Sequence, residues 1–273
     1  MSNTSVHGAV DKATDSKAFE YAARAGFAIS GVLHLIVAYI VLRIAFGSGG
    51  NADQSGALAT LASQPGGPVI LWSVAVGMAA LALWHVAEAI VGKHPGEKSR
   101  SHQRSDDRPA WKRAKDIGVA VLYFAIAISA ARFAMGSGQT SSQQNTGLSA
   151  QLMQSGWGKA LLIAVGLGVA AVGGYHVYKG ASKKFLKDLR GSGDVAEKVG
   201  ITGYAAKGLV LGGAGLLVII ASLTADPSKA AGLDSAVKTL GQAPFGKVLL
   251  ILAALGIAAF GAYSFIRSRH GRM

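Results

Sequence analysis

The sequence of 273 residues contains no cysteine and few charged side chains. The lack of cysteine excludes disulfide bonds, thiolate metal sites and cysteine nucleophiles, although it says little about the compartment. Charged residues make up 15% of the chain, whereas soluble domains usually carry about 25%. Glycine is frequent, at 37 residues, but it does not recur at every third position, which excludes a collagen-like chain. We therefore expect lipid to surround much of the protein.

Six apolar stretches are long enough, or nearly so, to cross about 30 Å of hydrocarbon as helices. They cover residues 25–46, 69–91, 117–135, 160–177, 200–223 and 248–266. Helices are expected because an open strand edge in lipid would leave backbone groups without hydrogen bonds. The first stretch is too long for a signal peptide core and has counterparts later in the chain. The sequence therefore predicts an all-α integral membrane protein with six transmembrane helices.

The chain contains an internal repeat. GFAISGVLH at 26–34 aligns with GYAAKGLVL at 203–211, and RIAFGSG at 43–49 aligns with RFAMGSG at 132–138. The second helices share two sets of aligned glycines, which are Gly67, Gly158 and Gly246, and Gly77, Gly168 and Gly256. Self-similarity at a fixed period indicates a repeat architecture. The sequence predicts three tandem two-helix repeats with the same orientation, arranged with pseudo-threefold symmetry.

Basic residues divide the chain and predict its orientation. The segment 93–115 holds eight Lys and Arg residues and 179–198 holds six, whereas the loops 47–68 and 136–158 hold none. The positive-inside rule then places both termini and the two basic loops in the cytoplasm. The predicted divisions are a polar tail at 1–18, repeat 1 at 19–92, a basic loop at 93–110, repeat 2 at 111–182, a basic amphipathic loop at 183–197, repeat 3 at 198–269 and a tail at 270–273.

The second helix of each repeat ends in an aromatic residue, a polar residue and then a charge. The three sets are Trp84, His85 and Glu88; Tyr175, His176 and Lys179; and Tyr263, Ser264 and Arg267. Around a common axis, Glu88 would lie level with the cations Lys179 and Arg267 and would pair with them. In the alternative, the aromatic residues form a belt at the headgroups, and Lys179 and Arg267 extend to water.

His34 lies near the middle of the first helix, with Tyr123 and Leu211 at the equivalent positions. His34 and His85 raise the alternative of bound haem, but rough helix arithmetic separates them by several ångströms. A buried histidine that donates to a backbone carbonyl is favoured, so no cofactor is expected. A proton relay that includes Glu88 stays open.

Arg43 and Arg132 occupy matching positions near the outer ends of the first and third helices. They reach the outer headgroups or, in the alternative, form an external anion site. The GSG that follows each of them predicts a helix stop. The outer stretches 55–68, 147–158 and 231–246 each predict a short surface helix.

The tandem hairpins, the GFAISGVLH and GYAAKGLV stretches, the ARFAMG helix end and the short outer helices together resemble a known family. It consists of bacterial membrane proteins with three copies of the domain of unknown function twelve-oh-six. The resemblance runs from about Phe19 to Arg269 and implies six helices in the inner membrane. Because the family has no assigned activity, it implies no site residues. The second copy departs from the first, with Ala120 and Tyr123 in place of Gly31 and His34.

Two functional hypotheses remain. The first is that polar residues near the repeat axis bind or pass a small solute or ion. The second is a non-catalytic membrane scaffold whose basic loops bind anionic lipid or a cytoplasmic partner. The sequence lacks nucleotide-binding, nucleophile-elbow and HExxH motifs, so an enzyme is less favoured. No nucleic acid is expected, and the many small residues leave a homo-oligomer or a membrane protein partner open.

Overall fold

The computed structural model describes residues 17–91, 110–191 and 193–271 of the chain. Its α-helices, in chain order, are α1 (Lys17–Ala45), α2 (Gln54–Ala62), α3 (Gly67–Val91), α4 (Ala110–Ala134), α5 (Ser141–Leu152), α6 (Gly156–Ala181), α7 (Asp194–Thr224), α8 (Leu233–Gln242) and α9 (Gly246–His270). Two 3-10 helices cover Lys184–Asp188 and Pro227–Ala230. The protein is all-α, as predicted.

Six of these helices, α1, α3, α4, α6, α7 and α9, are long and apolar enough to cross a membrane. This confirms the six predicted spans. The tail 1–18, apart from its last two residues, and the basic loop 93–110, apart from its last residue, lie outside the described residues. The first helix of each repeat begins six to eight residues before the predicted span, since polar residues extend it beyond the apolar stretch.

Local signals end and begin the helices as the sequence indicates. The helices α1 and α4 stop at Gly47 and Gly136, which have φ values of 84° and 77°. In both, the following serine N–H donates to the carbonyl of the arginine in the last turn, Arg43 or Arg132. These bonds satisfy carbonyls that the helix leaves open. The Thr140 side chain, in a capping box with Gln143, begins α5.

The short helices α2, α5 and α8 precede α3, α6 and α9, as predicted, and they lie together at one end of the bundle. We call this the short-helix end. The opposite end, where α1, α4 and α7 begin and α3, α6 and α9 finish, is the basic end. Ala52, Ser55, Ser141, Ser142 and Asp234 join the three loops at the short-helix end by hydrogen bonds.

The long helices form a ring in which the tightest pairs join different repeats. The helix α3 packs on α4, α6 on α7, and α9 on α1. The last pair joins repeat 3 to repeat 1, so the repeats surround a common centre and do not lie in a row. Within repeats, α1 contacts α3 and α7 contacts α9 less extensively.

Small residues bring the paired helices together. A Cβ added at Gly173 of α6 would lie 2.5 Å from the backbone nitrogen of Gly212 and 2.6 Å from the carbonyl oxygen of Gly208 on α7. At the equivalent contact of α9 with α1, a Cβ on Gly31 would lie 3.0 Å from the Gly261 carbonyl oxygen. Such close backbone approach is the usual basis of helix association in lipid, where apolar side chains supply no hydrophobic driving force.

Repeat 2 differs from the other two because its helices α4 and α6 do not pack along each other. A Cβ on Gly77 or Gly256 would collide with Ile29 or Ala206 of the first helix in the same repeat. The equivalent Gly168 has no atom within 4 Å of such a Cβ among the described residues. The ring is therefore open between α4 and α6.

Candidate functional site

The interior of the bundle changes character along its length. Toward the short-helix end it is a buried apolar cluster that includes Val41, Leu58, Ala130, Val237 and Leu250. Toward the basic end it holds charged and aromatic side chains instead. Charge inside a membrane span costs about 2.5–3.5 kcal/mol per residue and commonly marks function. The charged part is therefore the candidate site.

Lys207 is the deepest of these charges. By helix rise, it lies about 20 Å from the start of α7 and about 26 Å from its end. Its Nζ lies 4.0 Å from the centroid of the Phe260 ring, a cation–π contact. Among the described residues no carboxylate pairs with this ammonium, and the charges that act on it are those of Lys179 and Arg267.

Lys179, Lys207 and Arg267 form what we call the cationic cluster, and Asp188 supplies its negative charge. Lys179 donates to Asp188 at 2.7 Å, and the charge of Asp188 also acts on Arg267. The Arg267 guanidinium lies 4.3 Å from the centroid of the Phe27 ring. In the described part of the chain, Asp188 therefore acts on two of the three cations, Lys179 and Arg267.

His34 borders the cationic cluster through Phe260, whose ring centroid is 4.8 Å from that of the histidine. Its Nδ1 lies 2.7 Å from the carbonyl oxygen of Ser30 and donates to it, as expected for a buried histidine. The side chain is buried, and Nε2 has no hydrogen-bond partner among the described residues. Because Nδ1 carries the proton, Nε2 is left as an acceptor.

An aromatic group supports the cluster from the basic end. Tyr204, Tyr263, Phe260 and Phe185 have ring centroids 5.3–6.2 Å apart in their contacts. Tyr263 donates to the Phe185 carbonyl oxygen at 3.1 Å. Aromatic contacts of this kind contribute about 0.5–1.5 kcal/mol each beyond the area they bury. The 3-10 helix Lys184–Asp188 is thereby fixed under the bundle, which positions Asp188.

The predicted aromatic belt is wrong for two of its three members. Trp84 and Tyr263 are 2% and 1% exposed, so they are core residues, whereas Tyr175 is 45% exposed. His85 and Ser264 are likewise buried. Trp84 belongs to the buried apolar cluster, and Tyr263 packs against Phe185 and Tyr204, so neither reaches the headgroups.

The predicted pairing of Glu88 with Lys179 is also wrong. Lys179 pairs with Asp188, while Glu88 lies with its Oε2 2.9 Å from Nδ1 of His85. The physical reason is the packing of α3 on α4, which points Glu88 at Asp116 of α4. His176 meets Tyr204 at a centroid distance of 5.8 Å, so the two predicted histidines, His85 and His176, lie against different repeats.

Arg43 and Arg132 are exposed at the short-helix end. Among the described residues they make no ion pair, and no contact joins one to the other. The external anion site proposed for them therefore stays a prediction, and these arginines are not part of the cationic cluster.

Sequence reasoning missed Lys207, Asp116 and Asp188. Lys207 lies within the quoted repeat GYAAKGLVL, where repeat 1 has Ser30 and repeat 2 has Val119. A lysine inside an apolar span was the available signal. Asp116 precedes the predicted third span by one residue, and Asp188 lies in a loop, so hydropathy carried no signal for either.

A groove of about 660 Å³ lies elsewhere, between α1 and α3. Its lining is almost wholly apolar and includes Ala25, Ile29, Trp72 and Val76. Trp72 and Val76 are 49% and 68% exposed, so the groove faces the lipid and is separate from the cationic cluster.

Polar contacts at the short-helix end include two aspartates. Asp234 is buried and accepts from Ala52 N at 2.9 Å and from Lys238 Nζ at 2.7 Å. The side chain of Asp226 is 37% exposed, and the hydrogen bond from the Ser228 hydroxyl lowers the pKa of its carboxyl.

Comparison with known proteins matches the Domain of Unknown Function (DUF1206) three times, at residues 25–92, 117–183 and 202–271. "Uncharacterized protein YxxB" of Bacillus subtilis (strain 168) is 27% identical over 256 residues, or 92% of this chain and 90% of the relative. No solved structure matches the chain. The matched segments coincide with the three repeats of the fold. The chain therefore belongs to the DUF1206 family, as a membrane protein with three tandem copies of the domain.

Proposed function

We propose that the protein binds a small anionic solute at the cationic cluster, within a bacterial inner membrane and with its basic end in the cytosol. The observation that carries this proposal is Lys207, a cation deep in α7 whose Nζ lies over the Phe260 ring. Lys179 lies over the ring of Tyr204, which contacts that of Phe260. Clustered cations in a medium of low dielectric repel each other. A bound carboxylate or phosphate would offset that repulsion and accept charge-assisted hydrogen bonds.

His34 narrows the chemistry of the ligand. Its Nε2 is an acceptor next to the cationic cluster, so it suits a ligand that carries a hydroxyl beside its anionic group. A buried acceptor left without a donor is costly. A hydroxy acid or a phosphate monoester that retains a proton would supply both the charge and the donor.

Binding is favoured over passage through the protein. The apolar cluster fills the interior toward the short-helix end, and the loops there are joined by hydrogen bonds. We expect the solute to reach the cationic cluster from the basic end or between α4 and α6, which do not pack along each other.

The test is ligand-dependent thermal stability of the purified chain in nanodiscs of neutral lipid, titrated with inorganic phosphate and with lactate at constant ionic strength. We expect at least one of the two to raise the midpoint of unfolding. Lys207→Met should weaken that effect by about tenfold or more, since a charged hydrogen bond contributes about 1.5–3 kcal/mol. Lys247→Met is the matched control, because Lys247 also lies over a phenylalanine ring, at 4.5 Å from that of Phe46.

The proposal fails if neither anion stabilises the wild type, or if Lys207→Met and Lys247→Met weaken binding equally.

The second candidate function, a scaffold that binds anionic lipid, is favoured by the exposed Lys183, Lys184, Lys187 and Arg190. The apolar side of that segment packs on protein, since Phe185 and Leu189 are 0% and 1% exposed. The scaffold would be supported if replacing those lysines with glutamine abolished the binding of anionic lipid. Lys207→Met should then bind anionic lipid as the wild type does.

A further inference from the structure

A second polar cluster lies between α3 and α4. His85 and Glu88 of α3 and Asp116 of α4 each place one potential ligand atom within 4.8 Å of the other two. The three residues are 6%, 6% and 3% exposed. Two carboxylates so close together and so deeply buried repel each other, and a cation between them would be stabilising.

We propose that His85, Glu88 and Asp116 bind one divalent transition-metal ion of the zinc class. Imidazole suits zinc and other late first-row metals, and carboxylates complete such sites when thiolates are absent. The site goes beyond the proposed function, since none of its ligands belongs to the cationic cluster. A water molecule or a further protein oxygen would occupy the fourth position.

The contact between His85 and Glu88 has the distance of a hydrogen bond but not its geometry. Nδ1 of His85 lies 2.9 Å from Oε2 of Glu88, yet this nitrogen makes no hydrogen bond within the described residues. Ligand atoms at about 2.0–2.1 Å from a tetrahedral zinc ion lie about 3.3 Å apart. The His85 and Glu88 atoms already approach that separation. Asp116 closes the site with a shift of about 1–2 Å.

Neighbouring side chains position the His85 ligand and allow a metal ion to replace the lysine that pairs with Asp116. The His85 ring stacks on Tyr123 of α4, with centroids 5.6 Å apart and planes 7° apart. That contact fixes the ring plane, as supporting residues commonly do for a metal-bound histidine. Lys115 Nζ lies 3.5 Å from Oδ1 of Asp116, and its side chain is 52% exposed. It can turn to water when a metal ion takes the carboxylate.

The experiment is zinc binding by the full chain after removal of any affinity tag, in detergent, following treatment with a chelator. Bound zinc is measured by mass spectrometry after gel filtration, and affinity by competition with a chromophoric chelator. We expect the wild type to retain about one more zinc ion per chain than His85→Gln. Asp116→Asn should weaken binding by about tenfold or more.

The matched control is His176→Gln, because His176 occupies the position equivalent to His85 in repeat 2 and its Nδ1 lies 2.8 Å from the Val172 carbonyl oxygen. We expect this variant to bind zinc as the wild type does. Cobalt in place of zinc gives a second readout, since its visible absorption should change with His85→Gln and not with His176→Gln. The proposal is overturned if the folded wild type retains no zinc. It is equally overturned if the two histidine variants lose zinc to the same extent.

Discussion

Lys207 illustrates how one residue distinguishes equivalent positions in the three repeats. Its counterparts are Ser30 and Val119, so repeat 3 alone places a cation at this depth. The Phe260 ring under its ammonium offsets part of the cost of removing that charge from water. Since such a residue is expensive in a membrane span, its presence argues for a role in binding more than in packing.

Asp234 is the residue that joins the loops at the short-helix end. It accepts hydrogen bonds from Ala52 of repeat 1, from Ser142 of repeat 2 and from Lys238 of its own helix. A single buried carboxylate thus contacts all three repeats. Its loss would leave a backbone N–H and a hydroxyl without their partner.

We therefore expect Asp234→Ala to lower the free energy of unfolding by about 2 kcal/mol, because buried donors lose a charged acceptor. The midpoint of thermal unfolding in detergent measures the change. Asp226→Ala is the control, since Asp226 also lies near a lysine, Lys229, at 3.3 Å, but its side chain is 37% exposed against 3% for Asp234. Equal effects of the two substitutions would contradict the role given to Asp234.

At the scale of helices, the contact of α6 with α7 depends on glycine at particular positions. Gly166 and Gly173 of α6 meet the backbone of Gly215 and Gly208 of α7. The adjacent Gly174 faces open space, with no atom near an added Cβ among the described residues. Substitution by alanine is therefore expected to affect stability differently at these two neighbouring glycines.

Gly173→Ala should destabilise the protein by about 1–3 kcal/mol, because the added methyl group meets backbone atoms that cannot move aside. Gly174→Ala should be neutral or stabilising, since alanine favours the helix. Unfolding of the two variants under the same detergent conditions measures the difference. A Gly173→Ala protein as stable as Gly174→Ala would show that the two helices do not approach as described.

The positions of the helices in the sequence were largely predictable, whereas which helices pack against each other was not. Apolar length gave the six spans, and Gly47 and Gly136 gave two helix stops, because these signals are local. Gly77, Gly168 and Gly256 are aligned in the sequence, so exact threefold symmetry would form the same contact three times. Only two of those contacts form, since α4 packs on α3 and leaves α6 with α7 alone.

At the scale of the whole molecule, the contact of α9 with α1 closes repeat 3 onto repeat 1. Arg24 donates to the carbonyl oxygens of Ser268 and Arg269 at 2.8 and 2.7 Å. The Ser268 hydroxyl donates back to the Arg24 carbonyl oxygen. This closure places both ends of the described chain at the basic end, where the positive-inside rule predicts the cytosol.

Single-cysteine labelling tests that orientation. Because the chain has no native cysteine, only the introduced cysteine can react. In spheroplasts, a membrane-impermeant maleimide should label Ser137→Cys, at the short-helix end. It should label Ser182→Cys, at the basic end, only after permeabilisation. Both serines are exposed, so burial does not bias the comparison. The reverse pattern would place the basic end outside the cell.

The sequence by itself determined the number of membrane helices, the short helices, the three repeats and the basic ends. Each of these follows from hydrophobic length, local capping or charge, which the chain expresses over a few neighbouring residues. The tertiary structure alone decided that His85 and Glu88 meet Asp116, that Lys207 meets Phe260, and that repeat 2 stays open. Those contacts depend on which helices lie side by side in lipid, and close backbone fit between distant small residues selects those neighbours.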